Sequence, residues 1–218
     1  MPAARDDGGV ADEGDLAAPR VPNPWGQGER LRTEILDAAV RLFSELDGEE
    51  ALTIRGVARA AGIAPASIYQ HFADKAALVR GVVDHDYERL SAIMHEADES
   101  VDEDDVVGRV RAQMHAYCRF AIANPGHYRL MLGNRRISGR TPGQRPQGPL
   151  LSIVEAVIEA FERCDRAGER LRLPSERAAV MVFVGTHGRV ALYHSAPGGD
   201  EADRILAFVD ELISLVFD

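Results

Sequence analysis

From Arg30 onward the apolar residues recur with helical spacing. Ile35, Leu36, Ala39, Leu42, Phe43 and Leu46 fall at i, i+1, i+4, i+7, i+8 and i+11, one face of a 3.6-residue helix. Asp47-Gly48 stops that helix, as a turn pair should. A shorter helix follows, with Thr53 as its N-cap and Ile54, Val57, Ala58 and Ala61 on one face, and Gly62 closes it. Pro65 opens a third helix whose inward side is Ile68 and Phe72. Asp74 is placed to cap a fourth, longer one carrying Leu78, Val79, Val82, Val83, Leu90 and Ile93. The rest of the chain repeats this habit. Val106, Val107, Val110, Met114, Tyr117 and Ala121 mark a helix that Asn124-Pro125-Gly126 breaks, and a brief helix is expected from His127 to Leu132. Leu151, Val154, Val157, Ile158 and Phe161 give another, ended by Gly168. Pro174-Ser175 opens a helix to about Ala196, and the last helix carries apolar doublets from Ile205/Leu206 to Leu215/Val216. No segment alternates with period two, so the expected fold is all-α with nine helices.

The N-terminal stretch does not share the pattern. Residues 1–28 are Gly, Ala, Pro and acids with little aliphatic bulk; such a segment buries too little to offset its ordering entropy and is expected to be disordered. Its lone Trp25 is not expected to dock. Residues 29–78 then form a small helical domain and 79–218 a larger one. Composition narrows the class. In 218 residues, 45% hydrophobic and 28% charged side chains describe a globular protein. The net charge of −10 argues against a protein that coats nucleic acid without specificity, but leaves a specific reader open, since docking depends on one face. Two cysteines, Cys118 and Cys164, make no disulfide framework. The first residues hold no apolar run, and Ala178–Ala196 is interrupted by Thr186, His187 and Arg189; a cytoplasmic protein with no membrane partner is expected.

The chemistry concentrates in Thr53–Phe72, TIRGVARAAGIAPASIYQHF. Helix, glycine-containing turn, helix is the spacing of a helix-turn-helix, whose second helix enters the DNA major groove. No acidic residue occurs between Thr53 and Ala73, while Arg55, Arg59 and nearby Lys75 supply positive charge for phosphates. Ser67, Tyr69, Gln70 and His71 offer groups suited to phosphates or base edges. A plain small-residue hairpin fits the same pattern.

Arg32 to Leu78 resembles the N-terminal domain of the TetR family of transcriptional regulators. The resemblance is carried by RTEILDAAVRLFSELD, LTIRGVARAAGI and SIYQHFADKAAL, above all by Tyr69, His71, Phe72 and Lys75. It departs at Ala64 and Ala66, where the family often has hydroxyl residues or glycine. The resemblance implies DNA contacts from Thr53, Arg55, Ser67, Tyr69, Gln70, His71 and Lys75: phosphate for Thr53, Tyr69, His71 and Lys75, base edges for Ser67 and Gln70, and either for Arg55. Lys75 and the helix N-terminus behind it are expected to hold one phosphate. AYCRFAIANPGHYRLML from Ala116 and FVGTHGRVALY from Phe183 resemble the WHG-type C-terminal domain of some such regulators, with Phe183 in place of its tryptophan.

Motif and resemblance together imply a ligand-responsive, operator-binding homodimer, a repressor in the leading reading. An activator or co-repressor-dependent regulator of the same fold, and a helical ligand-binding protein without DNA affinity, stand as alternatives. Candidate effector contacts are Met114, Tyr117, Tyr128, Met131, Phe183 and His187, with Met94 and His127 beside them; core packing is the competing role of each. For the dimer, the final two helices offer Met181, Gly185, Ile205, Val209, Leu212 and Val216. Gly185 and Gly188 suit close helix approach. Other constellations are weaker. Asp84-His85-Asp86 diverge around a helix axis and make no evident metal set. The arginines of 133–148 read as a solvated loop, and no P-loop or nucleophile triad occurs. Neither a cofactor nor enzymatic activity is expected.

Overall fold

The computed structural model describes residues 27–45, 52–133, 149–195 and 201–218. The acidic tail with Trp25, the Asp47-Gly48 stop and the arginine-rich stretch 134–148 lie outside the described residues. Among those described there are nine helices and one isolated bridge, between Leu171 and Phe217.

Three helices build a small head. α1 (Gln27–Glu45) buries Ile35, Leu36, Ala39 and Phe43, and packs on α2 (Ile54–Ala60) and on α4 (Lys75–Glu99). Thr53 caps α2, its Oγ1 accepting from the Gly56 N–H at 3.0 Å. At the other end Gly62 takes φ +68°, Gly62 N–H donates to Arg59 O and Ile63 N–H to Ala58 O. That pair of bonds is a Schellman closure, and it needs a residue free to adopt the left-handed region. The tight turn delivers the chain to α3 (Pro65–Ile68), and Ile68 and Phe72 fill the space beneath it.

The expected boundary at 78/79 falls inside α4, which is 25 residues and so about 37 Å long. One continuous core runs from Ile35 in the head to Val216 at the far end. Gly81 explains how α4 can pass so close to the head. A Cβ there would lie 2.7 Å from Phe72 Cε1 and 3.2 Å from Leu36 Cδ2. The Arg32 guanidinium lies over the Phe72 ring, 5.2 Å from its centroid.

The larger unit is organised around α5 (Val106–Ala123), which packs against α4, α6 (Pro125–Gly133), α7 (Pro149–Arg166), α8 (Ser175–Ser195) and α9 (Glu201–Val216). Asp105 caps α5 through the Gly108 N–H at 2.8 Å. Pro125 stands at the first position of α6, where its missing N–H is harmless, so this helix begins earlier than expected. α6 also touches the head: a Cβ on Gly126 would sit 3.4 Å from Phe43 Cε1. At the far end of α4, buried Asp98 receives Arg109 of α5 (Nε at 3.1 Å) and Arg163 of α7, tying three helices to one carboxylate.

α8 and α9 sort their apolar residues differently from the expectation. Ile205, Val209 and Val216 are buried within their own subunit, so they have almost no surface left to give a partner. Gly185 and Leu212 meet each other: a Cβ on Gly185 would lie 2.7 Å from Leu212 Cδ1. They therefore set the close approach of α8 to α9 inside one chain. Of the six residues expected at a dimer surface, Met181 is exposed, and with it Val180, Val184 and Leu192 of α8 and Leu215 of α9. Nothing lies within 4 Å of a Cβ placed on Gly188, which shares that outer stripe.

Candidate DNA-binding face and the polar cluster behind it

The residues expected to meet DNA lie on one short stretch of surface. Thr53 and Arg55 are exposed at the start of α2, and Arg59 follows one helical turn after Arg55. Gln70 and Tyr69 are exposed, Tyr69 at 57%, while Ser67, His71 and Lys75 are half-buried. Ile68 and Phe72 point the other way and anchor the element. This is a face with a core side and a wet side.

Two details depart from the expectation. α3 is a single α-helical turn, continued to Phe72 by the Gln70, His71 and Phe72 N–H groups, which donate to Ser67 O and Ile68 O. Ala64 at its N-cap has no side-chain oxygen to accept an N–H, and Pro65 alone pre-sets the entry. At α4, the Asp74 carboxylate already accepts from the Ala77 N–H at 2.6 Å. The end of that helix thus carries its own anion, and a phosphate there would depend on the Lys75 ammonium more than on the helix.

Behind the head, the larger unit holds a polar knot in an apolar wall. Tyr117 of α5 and Tyr128 of α6 converge on His187 of α8. The Tyr117 hydroxyl lies 2.5 Å from His187 Nδ1, and Tyr128 donates to the His187 carbonyl at 3.0 Å. Phe183 stacks on the imidazole with centroids 5.8 Å apart, and Tyr117 leans on Phe183 at 5.4 Å. Burial raises the Tyr117 hydroxyl well above the ordinary phenol range and pushes Tyr128 up to about 12, so both remain protonated. A narrow cleft adjoins the knot, lined by Tyr87, Leu90, Phe120, Ala121 and Leu150 besides the polar three, with about 10 Å³ of free space. That is room for roughly one water. Met114 and Met94 are buried but do not line it, and the side chains of His127 and Met131 lie outside the described residues.

The sequence hinted at none of the partners that hold this region in place. His194, about two helical turns beyond His187, is 3.0 Å from the Ala121 carbonyl through Nε2. Burial holds its imidazole below the ordinary value of 6.5, a shift the carbonyl bond partly offsets. Because the folded state disfavours the imidazolium, stability is full above pH 6.5 and falls as pH drops below it, down to the lowered folded value. Urea unfolding of the native chain and of His194→Gln across pH 4.5–8 checks this. The difference between them should be flat above about pH 6.5 and narrow on the acid side; a difference independent of pH would contradict it.

The remaining candidates resolve into structural pairs. His85 Nε2 meets Asp37 Oδ1 of α1 at 3.0 Å, and buried Asp86 pairs with Arg89 at 3.4 Å. His85 and Asp86 therefore face different partners, and among the described residues no three metal-type side chains converge. Burial raises the Cys118 thiol to about 12 and the Cys164 thiol to about 11, which leaves both poor nucleophiles. Among the described residues no helix is long and apolar enough to cross a membrane.

A helix-turn-helix head on a long helix that runs into a larger helical unit defines a DNA-binding regulator fold. The model of bacterial regulatory proteins of the tetR family matches residues 35–82, and that of the Tetracyclin repressor-like C-terminal domain matches residues 110–216. The chain belongs to the TetR family. It is 30% identical over 103 residues to nucleoid occlusion factor SlmA of Vibrio campbellii, covering 47% of this chain and 52% of that one. It is 29% identical over 119 residues to SlmA of Aliivibrio fischeri, 55% and 56% of the two chains. The chain spans about half the length of the curated relatives it matches. Among solved structures, a protein of unknown function from Rhodococcus sp. RHA1 superposes with TM-score 0.70 and 25% identity, over 90% of this chain and 100% of its own. SmeT, the repressor of the Stenotrophomonas maltophilia multidrug efflux pump SmeDEF, shares the fold at TM-score 0.61 and 18% identity, over 86% and 90%. Regulators of this family are DNA-binding proteins and not enzymes.

Proposed function

We propose that this protein is a homodimeric repressor that binds a two-fold symmetric operator and leaves it when a small molecule occupies the larger unit. The observation that carries this reading is the acid-free face of α2 and α3. Arg55, Arg59, Tyr69 and Gln70 stand exposed together there, over the buried anchors Ile68 and Phe72. A chain of net charge −10 that keeps one face free of acids has concentrated its anion affinity there.

One head of this size reaches few bases, so specificity calls for two. The surface to join them is the outer stripe of α8 with Leu215, where Met181 is 55% and Val184 60% exposed. Coupling runs by two routes: α4, which begins at Lys75 and lines the cleft with Tyr87 and Leu90, and α6, which carries Tyr128 and touches Phe43 of α1. A ligand that prefers an opened cleft moves both helices, and operator affinity falls by its differential affinity for the two arrangements. An activator or a co-repressor-dependent regulator would use the same parts with the opposite sign of linkage.

Substitutions in the head test the DNA contact. Lys75→Ala is expected to weaken all duplexes alike and to lower the slope of log affinity against log salt by about one per subunit. Gln70→Ala is expected to relax preference at one base pair per half-site by about 1–3 kcal/mol. Binding to an operator library reads both, and an unchanged preference in Gln70→Ala would remove that side chain from base reading.

A further inference from the structure

Resting on the reading of this cleft as the effector site, we infer that its ligand is an uncharged, mainly apolar molecule, aromatic or similarly flat, whose one polar group is a hydroxyl donated to the Tyr117–Tyr128–His187 cluster. The walls decide the charge. Leu90, Phe120, Ala121 and Leu150 present only carbon, and none of the lining residues carries a formal charge while His187 is neutral. Nearby charges are already engaged: buried Asp86 pairs with Arg89, whose guanidinium in turn lies over the Phe120 ring at 5.8 Å. A carboxylate or ammonium entering the cleft would lose its hydration with no counter-charge to meet it.

The hydrogen-bond inventory decides the polar end. Nδ1 lies 2.5 Å from the Tyr117 oxygen and 3.2 Å from that of Tyr128, and the two hydroxyls are also bonded to each other. Whichever ring nitrogen holds the proton, the Tyr117 O–H has an acceptor inside the cluster, Nδ1 or the Tyr128 oxygen. The Tyr128 O–H has its own acceptor in the His187 carbonyl. Both phenolic protons are spent, and what the two oxygens still offer is lone pairs. A ligand hydroxyl can donate to them without breaking the cluster, whereas a ligand carbonyl or ether must displace an existing bond. The rings of Tyr87, Phe120, Tyr128 and His187 in the lining favour a flat body beside that hydroxyl. With about 10 Å³ free, the cleft must open to admit such a molecule, and its lining residues stand on α4, α5, α6, α7 and α8.

The test is a set of probes sharing one ring system: 2-naphthol, 2-methoxynaphthalene, 2-naphthoate and 2-naphthylmethylammonium. Their binding to the full chain is measured by calorimetry and, separately, their effect on operator affinity. The expected order places 2-naphthol first, with the two ions at least tenfold weaker. Tyr117→Phe/Tyr128→Phe, which keeps the packing, should weaken 2-naphthol by about three- to tenfold and leave 2-methoxynaphthalene unchanged. An ion binding as well as 2-naphthol, equal binding of the naphthol and its methyl ether, or no binding by any probe at its solubility limit overturns the inference. Binding in the expected order with no change in operator affinity upholds the ligand class and overturns the regulatory reading of the site instead.

Discussion

Val184→Glu is expected to give a folded, helical monomer that no longer holds its operator. Val184 is 60% exposed on α8, in the same stripe as Val180, Met181 and Leu192, with the open Gly188 beside it. Its substitution disturbs nothing inside the subunit, which separates it from Leu212, packed over Gly185. In a two-fold interface the carboxylate appears twice on one apolar surface. A central contact is worth about 2 kcal/mol, so the pair should weaken the dimer by roughly 4 kcal/mol, about a thousandfold. Sedimentation velocity at micromolar concentration, alongside operator anisotropy, reads both consequences. A dimer as stable as the native one would move the seam elsewhere.

Asp98→Ala is expected to destabilise the larger unit strongly. The carboxylate is buried and holds Arg109 and Arg163 against α4. Its removal leaves two partly buried guanidinium groups facing each other without an anion, and breaking such a pair costs about 3–5 kcal/mol. Both arginines keep some solvent contact, which places the expectation at the lower end, near about 3 kcal/mol. Urea unfolding measures it, and a loss below about 1 kcal/mol would show the cluster to be an ordinary surface pair.

These expectations differ in how far the sequence could have given them. Helix positions were legible because a 3.6-residue period survives in most elements, and caps such as Thr53, Asp74 and Gly62 act within a few residues of chain. The candidate DNA-binding face was legible for the same reason: its anchors, turn and charges sit within one continuous stretch. The outer stripe of α8 was not. That helix is apolar on both sides, and α9 carries doublets, so periodicity could not say which member of a pair such as Ile205/Leu206 turns inward. Ile205, Val209 and Val216 went to the core, and the exposed apolar surface fell to Leu215, next to Val216, and to α8. Gly81 gave no signal beyond a glycine in mid-helix; its meaning is the Phe72 ring beneath it. Asp98 with Arg163, and Tyr117 with His187, join positions 65 and 70 residues apart. No local pattern reports contacts of that range.

Selection of operator sequences from a random duplex library by the full chain tests the central claim most directly. The enriched duplexes are expected to share one site with two-fold symmetry, its half-sites about one helical turn apart and bound by a dimer. Their affinity should fall steeply as salt rises. No enriched sequence, or a single unsymmetrical half-site held by a monomer, would contradict the account.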